Sequence, residues 1–77
     1  MDHPIVARFG RNLKQARARA GLTQEEVNWR SGVHPTELSK MEHGTRDVHI
    51  SSVARLAAAL GVSPGELLDG LADESSS

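Results

Sequence analysis

The stretch that decides the fold is residues 24–44, which read QEEVNWRSGVHPTELSKMEHG. Its apolar positions predict two short helices, from Gln24 to Ser31 and from Pro35 to His43. The connection between them is short and contains Gly32, which forces a sharp angle between the two helices. Residues 24–44 therefore predict a helix-turn-helix, held together by apolar side chains at Val27, Val33, Leu38 and Met41.

Helix signals continue on both sides of this pair and predict further helices at residues 4–20, 50–60 and 64–71. Thr23 with Glu26, and Ser63 with Glu66, have the spacing of capping boxes, which mark helix starts. In the fourth helix we expect the inward face to carry Ile50, Val53, Leu56, Ala57 and Leu60. Because no segment alternates apolar and polar residues for long, the prediction is an all-α domain of five helices.

Length and composition limit the alternatives. The chain has 77 residues, no cysteine, and only two aromatic residues, Phe9 and Trp29. No run approaches the ~18 apolar residues of a membrane span, and the N-terminus has no signal-peptide pattern. We expect one cytoplasmic domain over residues 1–72, followed by a disordered acidic and serine tail at 73–77. Trp29 is expected to pack against the protein rather than project toward a partner.

Charge is unevenly distributed along the chain. The net charge is −1, but residues 1–46 hold eight basic and five acidic side chains, whereas residues 47–77 hold one basic and five acidic ones. This split fits a half that faces a polyanion, although an ordinary solvated surface explains it equally well. The third helix adds a short polar face with Thr36, Ser39, Lys40 and His43, which is suited to the major groove.

The stretch from Phe9 to Leu68 resembles the lambda-repressor-like (Cro/cI, XRE) helix-turn-helix family. The resemblance lies in Arg17-x-x-x-Gly21-Leu22-Thr23-Gln24, Gly32-Val33, Glu42-x-Gly44 and Leu60-Gly61-Val62. It implies a compact five-helix fold and a transcriptional regulator that binds double-stranded DNA sequence-specifically, as a dimer on a palindromic operator. The alternative is a protein-interaction module, such as an antitoxin-like or adaptor protein, that uses the same fold with little DNA binding.

The resemblance also implies roles for individual residues. A partly buried ion pair is expected between Arg17 and Glu42. The alternative is an exposed pair that contributes only ~0–1 kcal/mol to stability. The family has a small apolar residue where Asn28 stands, so Asn28 needs a hydrogen-bond partner or must lean outward. The resemblance implies base contacts from Pro35, Thr36, Ser39 and Lys40, and phosphate contacts from Gln24, His43 and Thr45. Independently of it, the positive charge of Arg11, Lys14, Arg30 and Arg46 predicts that these residues neutralise phosphates.

Dimerisation is predicted through the acidic C-terminal third, because that part is unsuited to face phosphates. The candidate interface residues are Val62, Leu67, Leu68 and Leu71; a monomer whose last helix covers its own core is the alternative. The four histidines lack metal-ligand spacing and no cysteine supports them, so we expect no metal. The sequence also predicts no cofactor, no small-molecule ligand, no membrane partner and no enzymatic activity.

Overall fold

The computed structural model describes residues 3–75, and within that range every regular element is a helix. The helices are α1 (Pro4–Ala20), α2 (Gln24–Ser31), α3 (Pro35–Glu42), α4 (Ile50–Leu60), α5 (Pro64–Leu67) and α6 (Leu71–Ser75). α1 packs against α3, α4, α5 and α6, while α2 packs against α3 and α4. The predicted all-α fold, with a helix-turn-helix at α2 and α3, is confirmed.

One apolar cluster joins these helices. Its fully buried side chains include Leu13, Val27, Leu38, Leu56 and Leu67, which come from five different helices. α1 and α3 approach closely because Gly10 has no side chain: a Cβ there would lie 2.7 Å from the Glu42 carbonyl oxygen and closer still to that of Met41. The close approach fixes how α3 is held against the body of the protein.

Local signals set both ends of α2. The Thr23 Oγ1 accepts a hydrogen bond from the Glu26 backbone N–H at 3.1 Å, and the Glu26 Oε1 accepts one from the Thr23 N–H at 3.0 Å. At the other end Gly32 adopts φ 78°, a left-handed conformation that closes the helix. α3 begins three residues later, at Pro35, and the His34 Nδ1 accepts a hydrogen bond from the Thr36 N–H in its first turn.

Polar side chains satisfy the backbone of the turn between α2 and α3. Asn28 donates from Nδ2 to the Val33 carbonyl oxygen at 3.0 Å, which is the partner that its half-buried position requires. The buried Ser31 hydroxyl donates to the Val27 carbonyl oxygen at 2.6 Å and accepts the Val33 N–H at 3.0 Å. Asn28 and Ser31 therefore tie the turn to α2 and hold the angle between the two helices.

The C-terminal region differs from the sequence prediction. The helix predicted at residues 64–71 is interrupted, since α5 ends at Leu67 and α6 starts at Leu71 after a turn with Gly70 at φ 77°. α6 continues through Asp73, where a disordered tail was expected. The domain boundary at residue 72 stays a prediction, and Ser76 and Ser77 lie outside the described residues.

Polar contacts hold this region to α1. Asn12 donates from Nδ2 to the Leu67 and Asp69 carbonyl oxygens, at 3.0 and 2.8 Å. Glu74 lies 3.9 Å from Arg8 Nη1 and 3.6 Å from Arg11 Nη2. These contacts with basic residues of α1 attach α6 to the rest of the protein.

Two large apolar side chains are exposed against expectation. Ile50 was expected in the core but is 79% exposed, because it is the first residue of α4 and no other element covers it. Trp29 was expected to pack against the protein but is 77% exposed on α2. Among residues 3–75, no helix has the length and apolar character needed to cross a lipid bilayer.

Candidate nucleic-acid interface

The outer face of α3 brings together the four residues that the sequence predicted as base contacts. Thr36 and Lys40 are exposed, and Pro35 and Ser39 are half-buried. With Gln24, the first residue of α2, they line one shallow depression. Because Pro35 has no N–H and Ser39 and Thr36 have short side chains, Lys40 is the long, charged group of this face. Hydroxyl and ammonium groups of this kind can donate hydrogen bonds to base edges.

A buried ion pair lies beneath one side of that face. Arg17 binds Glu42 through two parallel hydrogen bonds, Nε to Oε2 at 2.6 Å and Nη2 to Oε1 at 2.9 Å. The Glu42 side chain is 3% exposed and that of Arg17 is 20% exposed. Hydrogen bonding to Glu42 raises the pKa of Arg17 above its ordinary value. Arg17 also donates from Nη1 to the Leu22 carbonyl oxygen at 3.0 Å, which fixes the connection between α1 and α2.

Gln24 connects this ion pair to the outer surface. Its Nε2 donates to Glu42 Oε1 at 3.3 Å, so one carboxylate receives hydrogen bonds from α1 and α2 while it belongs to α3. Gln24 also lines a second depression, which it shares with Arg17, Thr23, Glu25 and Pro35. The start of α2 and the start of α3 therefore form one continuous surface, with the Gln24 side chain at its centre.

A tight corner follows α3. The Thr45 N–H and hydroxyl both donate to the Lys40 carbonyl oxygen, at 3.0 and 3.1 Å. The His43 Nδ1 donates a hydrogen bond to the Ser39 carbonyl oxygen at 2.7 Å. The other ring nitrogen, Nε2, takes no part in this hydrogen bond. Gly44 has φ 72°, and a Cβ there would lie 2.8 Å from the Cα of Ala7. This geometry presents His43 and Thr45 as exposed groups beside Lys40.

The predicted phosphate-contacting arginines differ in where their side chains go. Arg11 lies near Glu74 of α6, as described above, and Arg30 donates from Nη1 to the Ala59 carbonyl oxygen at the end of α4. These contacts direct the two side chains toward α6 and α4. Arg46 lies 2.7 Å from Glu37 of α3, and its side chain is 46% exposed.

The remaining phosphate candidates are placed more favourably. Lys14 is exposed and follows Gly10 by one turn, on the side of α1 that packs against α3. Exposed pairs such as Arg46–Glu37 contribute only ~0–1 kcal/mol, so a phosphate can compete for Arg46. The structure thus groups Gln24 and Arg46 around α3 with the corner residues His43 and Thr45, and Lys14 lies one turn after Gly10 on α1.

The predicted dimer residues separate into two groups. Leu67 is fully buried in the core of the single chain, so its side chain is not available to a partner and the assignment is corrected. It is buried because α5 lies against α1 and α4. Val62, Leu68 and Leu71 are half-buried at the edge of the core.

Sequence reasoning missed two features of this region. It did not anticipate the hydrogen bond from Gln24 to Glu42, because residues 24–44 alone do not show that the Glu42 carboxylate lies next to the start of α2. It also missed the exposure of Ile50. The available signal was that Ile50 is the first residue of α4. A side chain at the end of a helix lies beyond the neighbouring helices that cover the later residues of α4.

Comparisons with known proteins agree with this geometry. A family model described as a helix-turn-helix domain matches residues 8–71. Control protein C.BamHI of Bacillus amyloliquefaciens is 34% identical over 70 residues, which cover 90% of this chain and 86% of that protein.

Two solved structures are similar along most of the chain. The restriction-modification controller protein C.AhdI from Aeromonas hydrophila has a TM-score of 0.78 at 34% identity, covering 80% of this chain and 94% of that one. The clp gene regulator ClgR from Corynebacterium glutamicum has a TM-score of 0.84 at 30% identity, and the match covers 96% of this chain and 95% of that one. The chain therefore belongs to the XRE-like helix-turn-helix family of DNA-binding transcriptional regulators.

Proposed function

We propose that the protein binds double-stranded DNA as a homodimer, with α3 in the major groove, and regulates transcription from a palindromic operator. The observation that carries this proposal is the single surface formed by Gln24 and the outer face of α3. In this proposal Thr36, Ser39 and Lys40 read base edges, and Pro35 packs against a thymine methyl. No reaction is assigned to the chain, and its place of action is the cytoplasm, where genomic DNA lies.

Phosphate contacts in this proposal flank α3 on both sides. Gln24 lies at the N-terminus of α2, where backbone N–H groups and the helix dipole favour an anion. Lys14 and Arg46 supply positive charge, and His43 and Thr45 supply donors at the corner after α3. Arg11 and Arg30 stay in the set, because their contacts with α6 and α4, at 3.6 and 3.4 Å, are weak enough for a phosphate to compete.

The named relatives favour one class of regulator. C.BamHI is a control protein and C.AhdI is a restriction-modification controller, and both are matched along most of their own length. We therefore infer a controller of a restriction-modification system rather than a phage-type repressor or an antitoxin. The inference predicts that sites recovered from the source genome lie in front of restriction or modification genes.

The decisive experiment is selection of bound sites from a random pool of duplex DNA. We expect the wild-type protein to enrich a two-fold symmetric sequence. Replacing a base-reading residue should relax selection at one or two positions and cost ~1–3 kcal/mol on the preferred site. The test variant is therefore Lys40→Ala, compared with Lys14→Ala, which should weaken binding to all sequences about equally.

Two outcomes would contradict the proposal. If Lys40→Ala weakens selected and random DNA equally, Lys40 contacts the backbone and base reading lies elsewhere. If the wild-type protein retards no duplex at low salt, the protein-interaction alternative replaces DNA binding.

A further inference from the structure

The Glu37 carboxylate lies on the exposed side of α3 and is not among the base contacts described so far. α3 holds two acidic residues, of which Glu42 is buried, while the Glu37 side chain is 38% exposed. Glu37 is the third residue of α3 and lies one turn before Lys40, so the two side chains are neighbours on the helix surface. The N-terminal residues of a recognition helix are those that contact base edges. In the proposed complex Glu37 therefore enters the major groove with the other base contacts.

A carboxylate in that position needs compensation, because the phosphates of DNA repel it. In the free protein Arg46 supplies it, since Arg46 Nη1 donates to Glu37 Oε2 at 2.7 Å. The buried pair of Arg17 and Glu42 has two parallel hydrogen bonds. The Nη1–Oε2 contact uses one of the two carboxylate oxygens of Glu37, and both side chains are more than a third exposed. Glu37 can therefore exchange its partner at low cost.

DNA offers a new partner to each member of this pair. A phosphate binds a guanidinium strongly and can take Arg46. The Glu37 carboxylate can only accept hydrogen bonds, so it must then face a base that donates them. In the major groove guanine and thymine present acceptors, and adenine presents its N6 donor beside the N7 acceptor, whereas cytosine presents its N4 amino group as a donor. Cytosine is therefore the base that a carboxylate is suited to read.

We propose that Glu37 is a further specificity-determining residue, whose carboxylate accepts a hydrogen bond from the N4 amino group of one cytosine in each half of the operator. Arg46 holds this carboxylate in the free protein and binds a phosphate in the complex. The proposal rests on the proposed function for the entry of α3 into the major groove, and it adds the identity of one base. Glu37 and Arg46 have a partner both before and after DNA binds, so neither charge is left without compensation.

The test is selection of bound sites from a random duplex pool by Glu37→Gln and by the wild type. The substitution keeps the size of the side chain and removes its charge, and a glutamine amide is suited to N6 and N7 of adenine. We expect one position of each half-site to change from cytosine to adenine, with the other positions unchanged. On single duplexes, adenine in place of that cytosine should weaken binding of the wild type about tenfold and strengthen binding of Glu37→Gln. A circular dichroism spectrum equal to that of the wild type shows that the variant is folded.

The matched control is Glu66→Gln, which removes the same charge from an exposed residue of α5, a helix that lies against α1 and α4. We expect it to select the wild-type sequence. The inference is overturned if Glu37→Gln selects the wild-type sequence too, or if it binds all duplexes more tightly by a single factor, since the carboxylate then only repels phosphates. Either result in a sequence-selective wild type leaves the proposed function standing, whereas a wild type that binds no duplex rejects the proposed function itself.

Discussion

Glu42 accepts hydrogen bonds from side chains of two other helices, Arg17 on α1 and Gln24 on α2. Its carboxylate is removed from water, so it depends on these donors for compensation. Removing one partner of a buried ion pair costs more than the pair itself contributes, because the other charge is left without compensation. At the scale of single residues, this position should be the most sensitive polar one in the α1–α3 contact.

Replacing Glu42 with Gln should lower the free energy of unfolding by about 3 kcal/mol. The side chain keeps its size, so the loss reports the unpaired Arg17 guanidinium rather than a cavity. Urea denaturation followed by circular dichroism measures the change.

The control for this experiment is Glu37→Gln. Glu37 pairs with Arg46 at 2.7 Å, but both side chains are more than a third exposed. An exposed pair of this kind contributes ~0–1 kcal/mol. Equal losses in the two variants would mean that burial of Glu42 has no energetic consequence.

At the scale of elements, the contact between α1 and α3 depends on Gly10. Ala is the better helix former by ~1 kcal/mol, but its Cβ would overlap the carbonyl oxygens of Met41 and Glu42. Gly10→Ala should therefore destabilise the protein by about 1–3 kcal/mol, the usual cost of overpacking. Thermal unfolding measures it.

Gly65→Ala is the matched control, since Gly65 lies in α5 and its added Cβ would meet only the Ser63 Oγ at 3.7 Å. There we expect no loss, or a gain of ~0.5–1 kcal/mol from the reduced freedom of the unfolded chain. A Gly10→Ala protein as stable as Gly65→Ala would show that α1 and α3 can move apart at no cost.

The start of α2 should make stability depend on pH. Hydrogen bonds from Thr23, the backbone N–H first, lower the pKa of Glu26. A lowered folded pKa means that the stabilising contribution is complete above the ordinary carboxyl value of ~4.3 and is lost as pH falls through the folded value.

Glu26→Gln keeps a side chain that can complete the capping box but does not titrate. The stability advantage of wild type over Glu26→Gln should therefore shrink between neutral pH and pH ~3. Denaturation curves of both proteins at the two pH values test this. An advantage that stays constant would mean that the charge of Glu26 plays no part in the cap.

Local signals made the ends of several helices predictable. Thr23 with Glu26 begins α2, and Gly21 ends α1 with φ 70°, because capping depends on residues that are close in the sequence. The break after Leu67 was not predictable in this way. At the break, Asn12, 55 and 57 residues away in the sequence, donates to the Leu67 and Asp69 carbonyl oxygens, and only the fold brings it there.

The same distinction, between features set by nearby residues and features set by the fold, applies to the candidate interface. The residues of α3 share a face because they share a helix, so their spacing was enough to group Thr36, Ser39 and Lys40. The contacts of Arg11 and Arg30 within the protein were not predictable. Their charge is visible in the sequence, but only the fold brings Glu74 and the Ala59 carbonyl oxygen near them.

At the scale of the whole molecule, binding to DNA should depend steeply on salt. Each neutralised phosphate contributes ~0.9 to the slope of log affinity against log salt concentration. If Arg11, Lys14, Arg30 and Arg46 of each subunit of a dimer each neutralise one phosphate, we expect a slope near −7. Retardation or fluorescence titrations over a salt series measure it, and a slope near zero would mean that the basic residues contact no phosphate.

The hydrogen bond between Gln24 and Glu42 restrains the Gln24 side chain before any DNA is bound. Free side chains on a binding surface lose rotamer entropy when a partner arrives, at ~0.5–1.5 kcal/mol for each flexible one. Gln24 is already restrained when no DNA is present, so this loss belongs to folding rather than to association. Lys40, whose exposed side chain is not restrained in this way, still has that entropy to lose when it meets a base.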